Sequence, residues 1–295
     1  MAQEIYQNFL KVKKILEEKF SFFAPLVLIF FVFAFWFLIK TLQGPAWGFY
    51  FLPVGEGDSE LIITKEGVKI LIDGGPVNGN LVDLLDQILP PFDKYIDIAI
   101  LTHPQLDHFG GFLKLLEYYR LGILIGDGLD NPTISYQNLK KLITQNNVKL
   151  LTFKSGNYIR IGNSWLNCIY PPEGINVKDL NDAALVLEAK VENTTAIFTS
   201  DISSQVEDKI IPNLTSFNIL KVAHHGSVHS FNANFFKKIS PLLSIIEVGK
   251  NSYGHPSLKV IDFLKSINSA VIRTDQDGLL RVYENQNNLV VKKYE

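Results

Sequence analysis

Thr102-His103-Pro104-Gln105-Leu106-Asp107-His108-Phe109-Gly110-Gly111 begins on the last residue of a nearly unbroken apolar run, residues 96–102. A run of that kind, bounded by polar residues, reads as a strand buried on both faces, as in the parallel sheet of an α/β protein. Two imidazoles and a carboxylate come off its carboxyl end on one short loop. Neutral imidazoles and a carboxylate so placed can point at a common cation. Gly110 and Gly111 let the chain turn closely beneath it.

The same pattern recurs on either side. Residues 70–72 run as a strand into Asp73, residues 197–200 into Asp201, and residues 219–223 into His224 and His225. Residues 244–248 lead to Gly254-His255-Pro256. Ligands and catalysts in α/β sheets gather at the carboxyl ends of strands. Of the 6 histidines, all but His229 stand in such loops, and His229 follows shortly after His225. Strand and helix patterns alternate without repeats over residues 48–295, which predicts one α/β domain. Expected helices cover residues 81–89, 111–119, 135–146, 204–211, 232–238 and 258–266, and a closing hairpin pairs 279–284 with 289–293.

The chain has 295 residues, 47% of them hydrophobic and 20% charged, with a net charge of −2. It is therefore neither disordered nor clothed in the basic coat that holds nucleic acid nonspecifically. Its single cysteine, Cys168, excludes a disulfide framework and a cysteine-rich zinc site, and reads as a core residue. Much of the apolar excess lies in residues 20–39, FSFFAPLVLIFFVFAFWFLI, an uncharged run that as a helix reaches ~30 Å, the thickness of a hydrocarbon core. Pro25 falls in its first turns and Trp36 near its far end, where an interface suits it. Lys11, Lys13, Lys14 and Lys19 precede the run and only Lys40 follows closely. The expected organisation is thus a cytoplasmic segment over residues 1–19, partly an amphipathic helix, a transmembrane helix over 20–39, a linker over 40–47, and the α/β domain outside the cytoplasm.

Residues 102–111 resemble the HxHxDH loop of the metallo-β-lactamase fold. More closely, Val54-Gly55-Glu56-Gly57-Asp58-Ser59 is similar to the VGQGD segment of the extracellular metallo-β-lactamase-like domain of ComEC competence proteins. Leu71-Ile72-Asp73-Gly74-Gly75-Pro76 resembles their LIDGGP, and residues 220–227 their LKVxHHGS. Tyr253-Gly254-His255-Pro256 and residues 273–278 resemble their YGHP and RTDxxG. The matches run in order through nearly the whole α/β region. The resemblance implies an αββα sandwich with one or two divalent ions, zinc or manganese with magnesium also open. His103, Asp107, His108 and Asp201 map onto metal ligands, Asp201 bridging. His255 or one of His224 and His225 completes the set. Asp73 holds the metal loop from behind, and Asp58 does so or simply forms its turn. Gln105 stands where the fold carries its second histidine and would be a weaker ligand. No histidine lies between His108 and His224, so Asn181 or Asp182 is left to substitute for an intermediate ligand.

The function these residues imply is a membrane-anchored, extracytoplasmic, metal-dependent hydrolase, a phosphodiesterase or nuclease acting on DNA. Asp107 would orient the attacking water and His224 or His225 protonate the leaving oxygen. Ser227 and Lys250 are candidate phosphate contacts. The short interval between Asp201 and His224 leaves no room for the large cap domain of RNA-processing members of the superfamily. Two alternatives stay open: a catalytically weakened binding or assembly module of a DNA-uptake complex, and a lactone- or β-lactam-type hydrolase. DNA transport would call for a separate channel protein, since a single span forms no channel.

Overall fold

The protein is described by a computed structural model. The structure describes residues 1–42 and 44–294, without the side chains of 2, 16, 18 and 40–42. Gln43, in the expected linker, and the Lys40 side chain lie outside the described residues. The chain divides into two units, Met1–Gly44 and Pro45–Glu295.

The first unit is one helix, α1 (Ala2–Leu42). Within it Gln3–Ile39 is long and apolar enough to cross a membrane. Phe30, Phe31 and Phe33 are each more than 60% exposed, which in water would be a large unpaid apolar surface. The helix is continuous from Ala2, so Pro25 lies in its interior rather than in a first turn. A proline there removes one backbone donor from the helical ladder.

The second unit is built from two mixed sheets. Strands β1 (Gly48–Phe51), β2 (Glu60–Ile63), β3 (Lys69–Ile72), β4 (Tyr95–Leu101), β5 (Arg120–Gly126) and β6 (Lys149–Thr152) belong to the first sheet. Strands β7 (Tyr158–Ile161), β8 (Ser164–Tyr170), β9 (Val186–Val191), β10 (Thr194–Phe198), β11 (Ile219–Lys221), β12 (Leu243–Ile246) and β13 (Ala270–Arg273) form the second. The hairpin β14 (Leu280–Asn285) and β15 (Asn288–Lys293) returns to the first sheet, β14 pairing antiparallel with β1. Strands β3 to β6 run parallel, as do β10 to β13.

Helices α2 (Leu81–Ile88), α3 (Leu106–Tyr118) and α4 (Ile134–Gln145) cover the outer face of the first sheet. Helices α5 (Ser204–Ile210), α6 (Ala233–Ile239) and α7 (Leu258–Ser266) cover that of the second. This is the four-layer αββα order that the sequence resemblance implies. It explains the unbroken apolar run of β4: Ala99 and Leu101 pack towards the helices, Ile98 and Ile100 into the space between the sheets. Phe198 of β10 meets Phe49 and Phe51 of β1 across that space, ring centroids 6.2 Å apart in each case.

One boundary differs from the sequence expectation. Helix α3 begins at Leu106 rather than near Gly111, so the two glycines lie inside it. Gly111 donates its N–H to the Gly75 carbonyl at 2.9 Å, and His108 accepts from the Gly74 N–H at 2.6 Å. A Cβ on Gly111 would overlap the Gly74 carbonyl oxygen, and one on Gly110 would sit 2.5 Å from the Val77 nitrogen. The glycines therefore let the first turns of α3 lie against the loop after β3, which brings His108 beside Asp73.

Candidate metal centre

The loops at the carboxyl ends of β3, β4, β10, β11 and β12 converge on one point. Four of their residues, Asp73, Ser200, His224 and His225, carry left-handed φ values of 48° to 53°. Such a conformation costs about 1–2 kcal/mol per residue, and strain of this kind concentrates at functional sites. Here it turns each strand end inward.

Asp107, His108, Asp201 and His225 bring one donor atom each to within 4.8 Å of one another. His108 Nε2 stands 3.3 Å from Asp201 Oδ2, His225 Nε2 3.7 Å from the same oxygen, and His225 Nε2 3.9 Å from Asp107 Oδ2. Donors held at ~2.0–2.2 Å from one ion stand roughly 3–4 Å apart, so the spacing is that of a coordination shell.

The far sides of the rings settle their tautomers. Asp73 accepts from the Thr102 N–H at 2.8 Å, from the Thr102 hydroxyl at 2.6 Å, and from His108 Nδ1 at 2.8 Å. His225 donates Nδ1–H to the Glu247 carbonyl at 2.9 Å. Because the Thr102 hydroxyl gives its proton to Asp73, it accepts from His103 Nδ1 at 3.0 Å. Each Nδ1 is thus committed outward and each Nε2 is left to the centre. His103 Nε2, His108 Nε2, His225 Nε2 and Asp201 Oδ1 are all buried without a hydrogen-bond partner. Buried polar atoms are rarely left so, and a histidine whose other nitrogen is held by a carboxylate or carbonyl is the usual metal ligand. The donor set fits a divalent cation.

Electrostatics agree. Burial disfavours a charged His225, but the Asp201, Asp107 and Asp58 carboxylates outweigh it and lift the ring to about 10. His108 is raised for the same reason by Asp201 and Asp73. Burial works against ionising Asp201, yet His108, His225 and Lys221 hold its carboxyl well below the usual range. His103 is buried, lies beside His108 and is pushed down to about 3, so it is a neutral imidazole. A cation held at the centre would take the place of the protons on His108 and His225.

The remaining expected residues are distributed around this set. His103 packs against His108, ring centroids 4.1 Å apart at a tilt of 52°, outside the group of four. Gln105 donates its side-chain amide to Asn181 Oδ1, so the two amides at the imidazole-poor position bond each other. His224 is about 30% exposed, with Nε2 3.8 Å from Asp201 Oδ2, and burial lowers its pKa. His255 Nδ1 lies 3.0 Å from Glu56 Oε1, and its ring is 5.6 Å from that of His224. Ser227 is buried and its hydroxyl accepts from the His229 N–H. Lys250 is exposed.

Behind the centre lies a feature sequence reasoning passed over. Lys221 is fully buried, donates to Asp58 Oδ2, and lies 4.0 Å from Asp201 Oδ1. Burial opposes its charge, but Asp58 and Asp201 keep it an ammonium. Asp58, held down to about 2 against burial by Lys221, also stands 3.3 Å from His225 Nδ1. Glu60 and Glu247 bring carboxylate oxygens to within 4.8 Å of each other and of Asp58, and burial raises both, Glu60 to about 8. The one available signal was the spacing of Asp58 and Glu60, two residues apart and hence on one face of an extended segment.

No family model matches the chain. ComE operon protein 3 of Bacillus subtilis is 28% identical over 259 residues, which covers 80% of this chain and 33% of that protein. Competence protein ComA of Neisseria gonorrhoeae is 25% identical over 232 residues, 77% of this chain and 31% of that one. The chain therefore spans about a third of the length of the curated relatives it matches. Among solved structures, the metallo-beta-lactamase fold protein YhfI of Bacillus subtilis aligns with a TM-score of 0.52 at 13% identity, over 76% of this chain and 95% of that one.

The fold is that of the metallo-β-lactamases. Within the metallo-β-lactamase fold the chain resembles the ComEC-type competence proteins, as its motifs suggest. The four-donor set of Asp107, His108, Asp201 and His225 uses two residues of the metal loop and the ends of β10 and β11.

Proposed function

We propose that this protein is a membrane-anchored hydrolase that uses a divalent metal ion to cleave phosphodiester bonds in DNA. The observation that carries the reading is the cluster of Asp107, His108, Asp201 and His225, with two imidazole nitrogens facing inward and unpartnered. The similarity to two competence proteins supports DNA as the substrate and competence as the setting. Helix α1 and the lysine asymmetry around it support a membrane anchor with the metallo-β-lactamase-fold domain on the extracytoplasmic side. DNA passage through the membrane belongs, in this reading, to a separate channel protein.

Asp107, His108, Asp201 and His225 would hold the ion, zinc or manganese being the best matches to two imidazoles and two carboxylates. When bound, it supplies Lewis acidity, acidifying water and offsetting charge on phosphoryl oxygens. Asp107 lines a cavity of about 640 Å3. Burial acts against its ionisation, but His225 and His108 lower its pKa, so it stands ionised and, giving one oxygen to the donor set, orients the attacking water with the other. His225 is committed to the donor set. That leaves His224, partly exposed beside Asp201, to pass a proton to the leaving oxygen.

The Gln105–Asn181 amide pair favours one alternative, a weakened binding module, because it replaces imidazole ligands. Full-length protein in detergent, loaded with manganese or zinc, separates these readings. DNA cleavage that disappears in Asp107→Ala supports the hydrolase. Stoichiometric metal without turnover on DNA selects the binding module, and turnover of a lactone or β-lactam instead of DNA selects a small-molecule enzyme.

A further inference from the structure

A second group of buried acids lies behind the metal centre, where the apolar filling between the sheets ends. Along β2, Leu61 packs towards the helices and Ile62 between the sheets, so Glu60 also points between them. Strand β2 runs antiparallel to β3 with Glu60 opposite Ile72, which puts Glu60 at the same end as Asp73. Ile219 of β11 and Ile245 of β12 face the space between the sheets, and Lys221 and Glu247 follow each of them by two residues on the same side. Three inward apolar rows, one from the first sheet and two from the second, thus end in a charged residue. Asp58 joins them from the turn before β2. Asp58, Glu60 and Glu247 are at most 2% exposed, and one carboxylate oxygen of each lies within 4.8 Å of the others.

The protein's own donors do not satisfy this group. Lys221 donates to Asp58 Oδ2 and lies 4.0 Å from Asp201 Oδ1, so its charge is shared with the metal centre. The Ser59 N–H reaches Glu247 Oε1 at 3.4 Å. His225 Nδ1 is 3.3 Å from Asp58 Oδ1 but gives its proton to the Glu247 carbonyl. Asp58 Oδ1, Glu60 Oε2 and Glu247 Oε2 are left buried without a hydrogen-bond partner. Three ionised carboxyls beside one ammonium carry two uncompensated negative charges out of reach of water. Buried charges are paired or coordinate metals, and buried polar atoms are rarely left unpartnered. A divalent cation would cancel that charge and engage all three free oxygens at once.

We propose that Asp58, Glu60 and Glu247 form a second cation site, separate from the metal centre, for a hard divalent ion of the calcium type. Its donors are all carboxylate oxygens, whereas the centre offers two imidazoles, so ligand softness sorts the ions between the two. Calcium holds oxygens at about 2.3–2.6 Å, so donors on opposite sides of it stand roughly 4.6–5.2 Å apart, and a spread of 4.8 Å fits. Magnesium draws its oxygens in to about 2.0–2.1 Å and keeps several waters, for which carboxyls this buried leave little access. An ion at this place ties β2 of the first sheet to the end of β12 in the second, directly beneath His225. It locks the sandwich under the metal centre, and this role does not depend on what the centre hydrolyses.

The test is calcium binding by the full-length protein in detergent, stripped with chelator and then saturated with zinc so that the metal centre is filled. Equilibrium dialysis against radioactive calcium should find one ion per chain. In thermal unfolding, calcium at 100 times its dissociation constant should raise the midpoint by about 5–10 °C. The double variant Glu60→Gln, Glu247→Gln should lose both effects yet keep the rise that zinc gives. In chelator it should unfold no earlier than the parent, since its amides bury no charge. Glu60→Gln alone should weaken calcium and leave zinc unchanged. His225→Ala should lose the zinc effect and still bind one calcium. A zinc-loaded parent that binds no calcium overturns the site, whether or not any variant folds, and leaves a proton between Glu60 and Glu247 in place of the ion. Calcium that persists in the folded glutamine variants, or that vanishes in His225→Ala alone, belongs to the metal centre and also overturns it. One calcium per chain in a protein that cleaves no DNA keeps this site and removes only the hydrolase reading.

Discussion

Asp73 touches no donor-facing atom of the proposed centre, yet Asp73→Asn should disable it. Its carboxylate accepts from the Thr102 N–H, the Thr102 hydroxyl and His108 Nδ1, and both of the latter two use Oδ2. Asparagine has the same shape and tolerates the left-handed φ of 53° at this position. With Oδ1 still serving the Thr102 N–H, its amide nitrogen must face His108 Nδ1. Two donors cannot face each other, so the ring moves its proton to Nε2, the nitrogen aimed at Asp107, Asp201 and His225. Loss of such a supporting contact typically costs 10–100-fold in metal affinity, about 1.4–2.7 kcal/mol. Competition against a chromophoric chelator measures that loss, and thermal unfolding in excess chelator checks that the variant still folds. A folded Asp73→Asn protein with the parent's metal affinity would refute the tautomer argument.

Three further substitutions probe separate parts of the account. Gly111→Ala drives a Cβ into the Gly74 carbonyl oxygen and should lower the unfolding temperature by many degrees, since neither backbone segment can yield; an unchanged melting curve contradicts the packing of α3. Glu207→Gln should stabilise the protein at neutral pH. Its carboxyl is fully buried with both oxygens unpartnered, and burial, with Asp208 nearby, raises its pKa well above 4.5. The folded state therefore keeps the proton that the unfolded state releases, so stability is lost as pH climbs from the unfolded value, and the gain from glutamine should vanish below about pH 4.5. Gln105→His breaks the amide pair with Asn181 and places an imidazole beside His103, so zinc affinity or stoichiometry should rise. Identical zinc titrations of parent and variant would show that residue 105 does not address the ion.

The fold was legible because burial on both faces leaves a plain mark. The run of β4 reads as an inner strand, and the histidines and aspartates after β3, β4, β10 and β11 all stand at carboxyl ends of strands, which here meet between the two sheets. The start of α3 was not legible, because Gly110 and Gly111 read locally as a turn. Their task is set by the Gly74–Gly75 backbone, which they approach from across the layer. Lys221 was hidden for a similar reason: a lysine at a strand end reads as surface, and its burial is made tolerable by carboxylates distant in sequence, above all Asp58, 163 residues away. Glu56 and Tyr253 were quoted within motifs but carried no periodic signal. Only the fold brings them to the cavity that both line.

The central claim, that Asp107, His108, Asp201 and His225 form a metal centre, is tested most directly by calorimetric titration of the metal-free, full-length protein with zinc or manganese in buffers of different ionisation enthalpy. His108 and His225 carry protons at neutral pH in the metal-free fold, His225 up to about 10, and an ion must displace them. The account predicts a tight site that releases protons on binding, gains affinity as pH rises from neutrality, and disappears in His225→Ala. Absence of tight binding in the parent, or binding that survives in His225→Ala without proton release, would contradict it.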